Sequence, residues 1–394
     1  MLRPSVVVVL LVLPLAARCA DAQAPASAQS CTVGARKLST NSTISNDEDH
    51  RFEWRSSGCE VKVRFSGKLR FTEDFRTIAG LERDRGFRAI ESGPVDRSVE
   101  IRPGDDGALR YRYEVDGRER AFDAEGQAWL ESVVLQLFRR SGYAANERVQ
   151  WMLRTGGAEA VFAEMTKMDS DYGRNAYSVA LLSQSSADPA LQARVLASAA
   201  AWSSDYYKAE LLDALTEGSR DARVAEAGWK LVRTLDSDYY ATKGIQRLFS
   251  LGEPNAAQVE VAIAALDGVE SDYYRAELLK SFSRRAPLEG RTVPLYLKAA
   301  ERTESDYYRA EMLAALVDRG PLAKEQLLAA IRATTTMKSD YYRSQSLVRI
   351  ARTHELEGDT FDAYMAAADA IKSSHYHSEA VRAARRRTAG MVSY

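Results

Sequence analysis

One tetrapeptide, returning at an almost constant interval, constrains this chain more than any other feature. Ser-Asp-Tyr-Tyr begins at Ser204, Ser237, Ser271, Ser305 and Ser339. A variant, Ser170-Asp171-Tyr172-Gly173, precedes these copies, and a degraded one, Ser373-Ser374-His375-Tyr376, closes the series. From Asp171 through Asp205, Asp238, Asp272 and Asp306 to Asp340 the steps are 34, 33, 34, 34 and 34 residues, and Ser374 follows after 34 more. An interval of this size is too long for one element and too short for a domain. It predicts stacked helical units, each burying its apolar side against the next.

Each unit reads as two helices. Ser-Asp supplies an N-cap followed by an acid in the first turn, where orphan N–H groups and the helix dipole favour it. Asp171, Asp205, Asp238, Asp272, Asp306 and Asp340 are therefore read as structural caps. A break rich in Gly or Pro follows (Gly218, Gly252-Glu253-Pro254, Pro287, Gly320-Pro321, Gly358), and a second apolar helix then leads to the next copy, as over 259–269 or 322–337.

At 100° per residue from the Asp, the apolar residues at +6, +7 and +10 share one side: Leu211, Leu212 and Leu215, or Met312, Leu313 and Leu316. The +1 Tyr and +5 Glu fall roughly opposite, with the +2 Tyr between the two stripes. The leading tyrosines are thus expected outside the core, in a ladder along one edge. Tyr206, Tyr273, Tyr307 and Tyr341, with Glu210, Glu277 and Glu311, are the candidate contacts for a protein or peptide partner. The competing reading is that the rings only pack between units. The +3 cation (Arg174, Lys208, Arg275, Arg309, Arg343) is placed to reach an Asp of its own or the adjacent unit. The copy at Asp238 departs, with Ala241 at +3 and Lys243 at +5, and local weakness or a bend is expected there.

Before the repeats, over 52–122, the period is two. Val61, Val63 and Phe65 alternate with Lys62 and Arg64, and Leu69 and Phe71 with Lys68 and Arg70. Leu109, Tyr111, Tyr113 and Val115 alternate with Arg110, Arg112 and Glu114. This predicts antiparallel strands with one buried and one wet face. Pro103-Gly104-Asp105-Asp106-Gly107 and Asp116-Gly117 mark turns, the second suited to a type I′ hairpin. Glu60, Glu100 and Glu114 dilute the basic strand faces, favouring a solvated face over an anion site. After Asp123, Trp129, Leu130, Val133, Val134, Leu137 and Phe138 recur at helical spacing and predict a closing helix ending near Gly142.

The amino terminus reads as a secretory signal: a basic Met1-Leu2-Arg3, an apolar run over 6–17, and small-residue cleavage sites near Ala22 or Ala24. Cleavage removes Cys19 and leaves Cys31 and Cys59, a disulfide pair or two separate thiols in an oxidising compartment. No later segment is apolar enough to span a bilayer. The expected organisation is a signal peptide over 1–22, a flexible segment over 23–48, a β-rich module with its closing helix over 49–143, an αα-solenoid over 144–388 and a tail over 389–394. The fold class is α+β multidomain: a small antiparallel β module, then about seven helical repeats.

Searches for chemistry return structural readings. A net charge of −1, from 54 basic and 55 acidic residues, gives no field for nucleic acid. With 4 His and 3 Cys, metal sites are scarcely available. His354-Glu355-Leu356-Glu357 lacks the second His of a zincin motif. His375 and His377, two apart on a helix, diverge. Asp169-Ser170-Asp171-Tyr172-Gly173 places its Gly one position too early for a calcium loop. No catalytic residue, metal or cofactor is expected.

The architecture resembles HEAT-like α-helical repeat proteins. The succession Phe71-Thr72-Glu73-Asp74, Val115-Asp116-Gly117-Arg118-Glu119, Ala128-Trp129-Leu130 and the Ser-Asp-Tyr units further resembles a bacterial envelope family, related to modules on or beside BlaR-type membrane peptidases. That resemblance implies a periplasmic or secreted protein and, as a second functional reading, a sensory or regulatory subunit of an envelope stress system. It carries over no protease activity, because the His-Glu-x-x-His motif and the membrane spans are missing. The leading expectation is an exported, non-enzymatic scaffold.

Overall fold

The computed structural model describes residues 39–44 and 49–391, apart from 57, 83–85, 186–187, 217–220, 253–254 and 287. The expected signal segment and its expected cleavage sites, Cys19 and Cys31 lie outside the described residues. No helix among the described residues is long and apolar enough to cross a membrane. The chain divides into two compact units between Leu137 and Phe138, inside the closing helix rather than after it at 143.

The first unit is an antiparallel sheet of seven strands. They are β1 (Ser39–Ile44), β2 (Asp49–Ser56), β3 (Cys59–Ser66), β6 (Phe87–Ser92), β7 (Arg97–Pro103), β8 (Leu109–Val115) and β9 (Arg118–Arg120), hydrogen-bonded in that order. A separate pair, β4 (Leu69–Phe71) and β5 (Ile78–Leu81), branches from it. Of the segment 23–48, expected to be flexible, residues 39–44 form strand β1, and the rest lies outside the described residues. Residues 39–44 pair in register with β2 from Ser39–Arg55 to Ile44–His50. An edge strand is held by main-chain bonds and needs no apolar side chains, so composition concealed it.

The alternation read from β3 holds: Val61, Val63 and Phe65 are buried, while Arg64 is exposed. In β8 it holds only at Tyr113. Tyr111 is exposed and stacks on Phe122 at 4.5 Å between ring centroids, because β8 lies next to the short final strand. Asp116 and Gly117 both take positive φ, 49° and 72°, as a type I′ turn requires. Helix α1 (Ala124–Ser141) buries Trp129, Leu130, Val133 and Val134, each such side chain contributing about 1.5–3 kcal/mol. The fully buried Glu91 fixes the helix in register: its carboxylate accepts from Trp129 Nε1 at 2.9 Å and from Arg97 at 3.2 Å.

The second unit is helical. After α2 (Ala145–Met165), the helices that open with the motif are α3 (Asp171–Gln184), α5 (Asp205–Asp213), α7 (Asp238–Ser250), α9 (Asp272–Arg285), α11 (Asp306–Val317), α13 (Asp340–Thr353) and α15 (Ser374–Met391). Between them come α4 (Pro189–Ser198), α6 (Ala222–Val232), α8 (Ala256–Ala265), α10 (Thr292–Glu301), α12 (Lys324–Thr335) and α14 (Asp359–Asp369). Motif helices pack on motif helices, from α3 on α5 through to α13 on α15, and the intervening helices pack on one another from α4 through to α14. The +6, +7 and +10 stripe forms the core: Leu211, Leu212, Leu215, Met312, Leu313 and Leu316 are all buried.

The first copy differs from the rest at +2, where Gly173 replaces tyrosine, and packing explains the difference. A Cβ at Gly173 would lie 1.9 Å from the Arg139 carbonyl oxygen. Replacing Gly173 by Ala therefore forces backbone apart, with an expected loss of about 1–3 kcal/mol or more in urea denaturation. Gly268→Ala, at a position with open space around it and no positive φ, provides the control for glycine replacement without a clash.

Candidate functional site: the tyrosine edge

The helix starts carry the site, and their geometry differs from simple capping. Ser170 accepts from Gly173 N at 3.4 Å, but Ser204, Ser237, Ser271, Ser305 and Ser339 make no side-chain cap bond. The Asp carboxylates, assigned above to their own helices, instead accept from the backbone that enters the following motif helix. Asp171 accepts from Ser203 N and Ser204 N at 2.8 and 2.9 Å. Asp205 takes Asp236 N and Ser237 N at 2.8 and 2.7 Å, and Asp238 takes Glu270 N and Ser271 N at 3.0 and 2.6 Å. Asp272 takes Glu304 N and Ser305 N at 3.2 and 2.8 Å, and Asp306 takes Lys338 N and Ser339 N at 2.8 and 2.7 Å. Asp340 takes Ser373 N at 2.8 Å. A carboxylate at the first helical position points back from the helix, towards the turn of the neighbouring copy.

The +3 cation adds a second link. It meets the Asp of its own copy, as Arg174–Asp171 at 2.8 Å and Arg275–Asp272 at 3.3 Å show. Its contact with the adjacent copy is to main-chain carbonyls rather than to the Asp. Lys208 donates to Thr234 O at 2.7 Å, Arg309 to Thr336 O at 2.9 Å and Arg343 to Ala370 O at 2.7 Å. Those carbonyls end α6, α12 and α14, where a cation also complements the helix dipole. In the departing copy Ala241 is buried and supplies no such cation, yet both Asp238 bonds persist. The departure thus removes the cation link of this copy and leaves its carboxylate link in place. Lys243 turns over the Tyr239 ring at 5.7 Å.

These links set the tyrosines in a continuous zigzag. Tyr172 meets Tyr207 at 5.7 Å, and Tyr206 meets Tyr240 at 6.0 Å. Tyr239 meets Tyr274, Tyr273 meets Tyr308, and Tyr307 meets Tyr342, at 6.3, 6.3 and 6.1 Å. Tyr341 meets Tyr376 at 5.6 Å. Within each Tyr-Tyr pair the rings lie edge to face at 5.0–5.1 Å. The leading rings, Tyr172, Tyr206, Tyr239, Tyr273, Tyr307 and Tyr341, remain 40–50% exposed. The candidate contacts Tyr206, Tyr273, Tyr307 and Tyr341 are thus brought onto one series. The second tyrosines that interleave them were not singled out as site residues. Their signal, an equally regular +2 position, was present in the sequence.

The candidate glutamates are less available. Glu210 accepts from the Tyr206 hydroxyl and from Asn175 Nδ2 at 3.2 Å. Glu277 pairs with Lys280 at 2.8 Å, and the same ammonium lies 3.7 Å from Glu311. Hydrogen bonding to Glu210 raises Tyr206 to about 12. At this edge Glu210 and Glu277 are therefore already engaged.

Other motifs settle into packing. His354 is buried, with Nε2 3.1 Å from Gly320 O and Nδ1 2.8 Å from Thr353 Oγ1. Asp169 pairs with Arg140 at 2.8 Å, and Asp171 is occupied by the following copy. His377 faces Asp369 at 3.0 Å and His375 lies against Tyr376. Among the described residues no group of three or more His, Cys, Asp or Glu is placed to hold a metal. Cys59 opens β3, and its expected partner Cys31 lies outside the described residues.

Two outcomes test this electrostatic description. Burial pushes the Asp171 carboxyl up, but bonds from Ser203, Ser204 and Arg174 outweigh it and leave it below the usual aspartate range. Stability from this group is therefore present above the unfolded value near 3.9 and is lost as pH falls through the lower folded value. Asp171→Asn should remove that acid dependence and cost about 1.5–3 kcal/mol at pH 7 in urea titrations. Alkaline absorbance titration should show a tyrosine ionising near 12 that Glu210→Gln returns towards about 10. No change in the titration would disprove the Tyr206–Glu210 bond.

Comparison with family models, with curated proteins and with solved structures gives no match to this chain.

Proposed function

We propose that the chain is an exported, non-enzymatic scaffold that recognises a protein or peptide along the tyrosine edge. On this reading the helical units form an αα-solenoid of HEAT-like type, with about seven copies. The Cys31–Cys59 pair forms a disulfide after cleavage near Ala22 or Ala24 in the periplasm or outside the cell. The observation that carries the reading is the set of six aligned leading tyrosines, each about half exposed although braced by a neighbouring ring.

Packing alone requires only one edge of each ring. The other side offers apolar surface and a hydroxyl, the combination that favours tyrosine at interfaces. Because each ring is already braced, binding freezes few further rotamers, and the ordering cost of association is small. Multipoint binding along a preformed surface follows, without covalent chemistry.

Photocrosslinking tests this reading. A photoreactive residue at position 307 should trap a defined envelope protein or peptide, while the same residue at exposed position 332 on α12 should not. Tyr273→Ser with Tyr307→Ser should reduce capture at least about tenfold with the helical signal retained, as expected when two aromatic anchors are lost. Unchanged capture with a lowered melting temperature would return the tyrosines to packing alone. Thiol labelling of the exported protein checks the bond: free Cys31 and Cys59 would remove it.

A further inference from the structure

We infer that the outward face of the β unit carries a binding site for a phosphate-type oxyanion, formed by Arg51, Arg64 and Arg88. The sheet register places these three side by side: Arg51 opposes Arg64, and Arg64 opposes Arg88. Glu100 and then Arg112 continue the same row. Neighbouring strands lie about 4.8 Å apart, so three guanidinium groups occupy a span of roughly 10 Å. Like charges directly opposite one another destabilise a sheet, and here three follow in succession.

The remaining cations on this face show that the arrangement is selective. Arg55 pairs with Glu53 and Glu60, Lys62 with Glu60, and Arg102 with Glu100. Arg110 pairs with Asp106, and Arg112 with Glu114 and Glu119. Arg51, Arg64 and Arg88 are exposed and have no ion pair or hydrogen bond among the described residues. Glu100, the acid at the end of their row, is held by Arg102 at 2.5 Å. The three arginines line a hollow of about 240 Å³ together with Asp49, Ser66 and Glu100. Asp49 accepts the Ser66 hydroxyl there, so one of the two acids is hydrogen-bonded within the hollow.

Guanidinium groups bind phosphate oxygens in forked, charge-assisted pairs. One phosphoryl group bridges two neighbouring arginines, and two or three linked phosphoryl groups reach across all three. Either a soluble oligophosphate or the phosphate headgroups of a membrane surface could present this chemistry, and the two sources are separable by experiment. The expectation of a solvated face, drawn from Lys62, Arg64, Lys68, Arg70, Arg110 and Arg112, weighs composition alone and does not separate paired from unpaired cations. Arg51 and Arg88 complete the row only once the register is known.

Calorimetry of the full mature chain with inorganic tripolyphosphate provides one arm of the test. Co-sedimentation with phosphatidylcholine vesicles, with and without phosphatidic acid, provides the other. Tripolyphosphate should bind saturably, weaken as salt rises and raise the melting temperature. Arg64→Gln should weaken binding at least about tenfold, while Arg112→Gln, a paired cation in the same row, should change it less than about twofold. In anion-free, low-salt buffer Arg64→Gln should raise the melting temperature, because it relieves repulsion. Tripolyphosphate binding without vesicle binding assigns the soluble source. Vesicle binding that needs phosphatidic acid and disappears in the triple Arg51→Gln, Arg64→Gln, Arg88→Gln variant assigns the headgroup source. Absence of both, or equal losses in Arg64→Gln and Arg112→Gln, would overturn the site.

Discussion

One carboxylate does most to organise the helical unit. In six successive copies the first helical residue is an aspartate that accepts from the main chain entering the following motif helix. Hydrogen bonds to a charged acceptor are among the stronger ones available in water, at about 1.5–3 kcal/mol each. Here they join segments more than thirty residues apart, with Asp171 and Ser204 separated by 33 positions. The near-constant spacing of the motif therefore coincides with the reach of this bond from one motif helix to the next. The exception supports this: between Asp205 and Asp238 the step shortens to 33, and Asp205 still reaches Ser237 N at 2.7 Å.

The tyrosine zigzag depends on that register. Edge-to-face pairs at 5–6 Å contribute about 0.5–1.5 kcal/mol beyond their buried area, but only while neighbouring copies keep their offset. Carboxylate, cation and ring thus act on one joint from three directions. Main-chain bonds fix its distance, the +3 cation closes on helix ends, and the aromatic pairs fill the outer edge.

Much of this was legible in the sequence because period and chemistry coincide. The helix starts, the buried Leu211, Leu212 and Leu215 stripe and the exposure of Tyr273 follow from spacing alone. So do the alternation of β3 and the positive φ pair at Asp116-Gly117. What escaped was the destination of polar groups. Aspartate after serine reads locally as a cap, and sequence carries no sign that its partner lies in the next copy. Strand β1 escaped because an edge strand needs backbone rather than apolar side chains. Glu210 and Glu277 read as candidate partner contacts, and only three-dimensional neighbours show the Asn175 and Lys280 that engage them.

The final copy exchanges the aspartate for Ser374. A neutral hydroxyl has neither the charge nor the two-oxygen reach needed to hold a pair of main-chain N–H groups one period later. Any helix pair that followed would have to dock without the bond that aligns every earlier one. The degraded copy therefore offers no charged acceptor for a further joint of this kind. Converting Ser374 to aspartate would restore the acceptor and leave the last joint competent for extension.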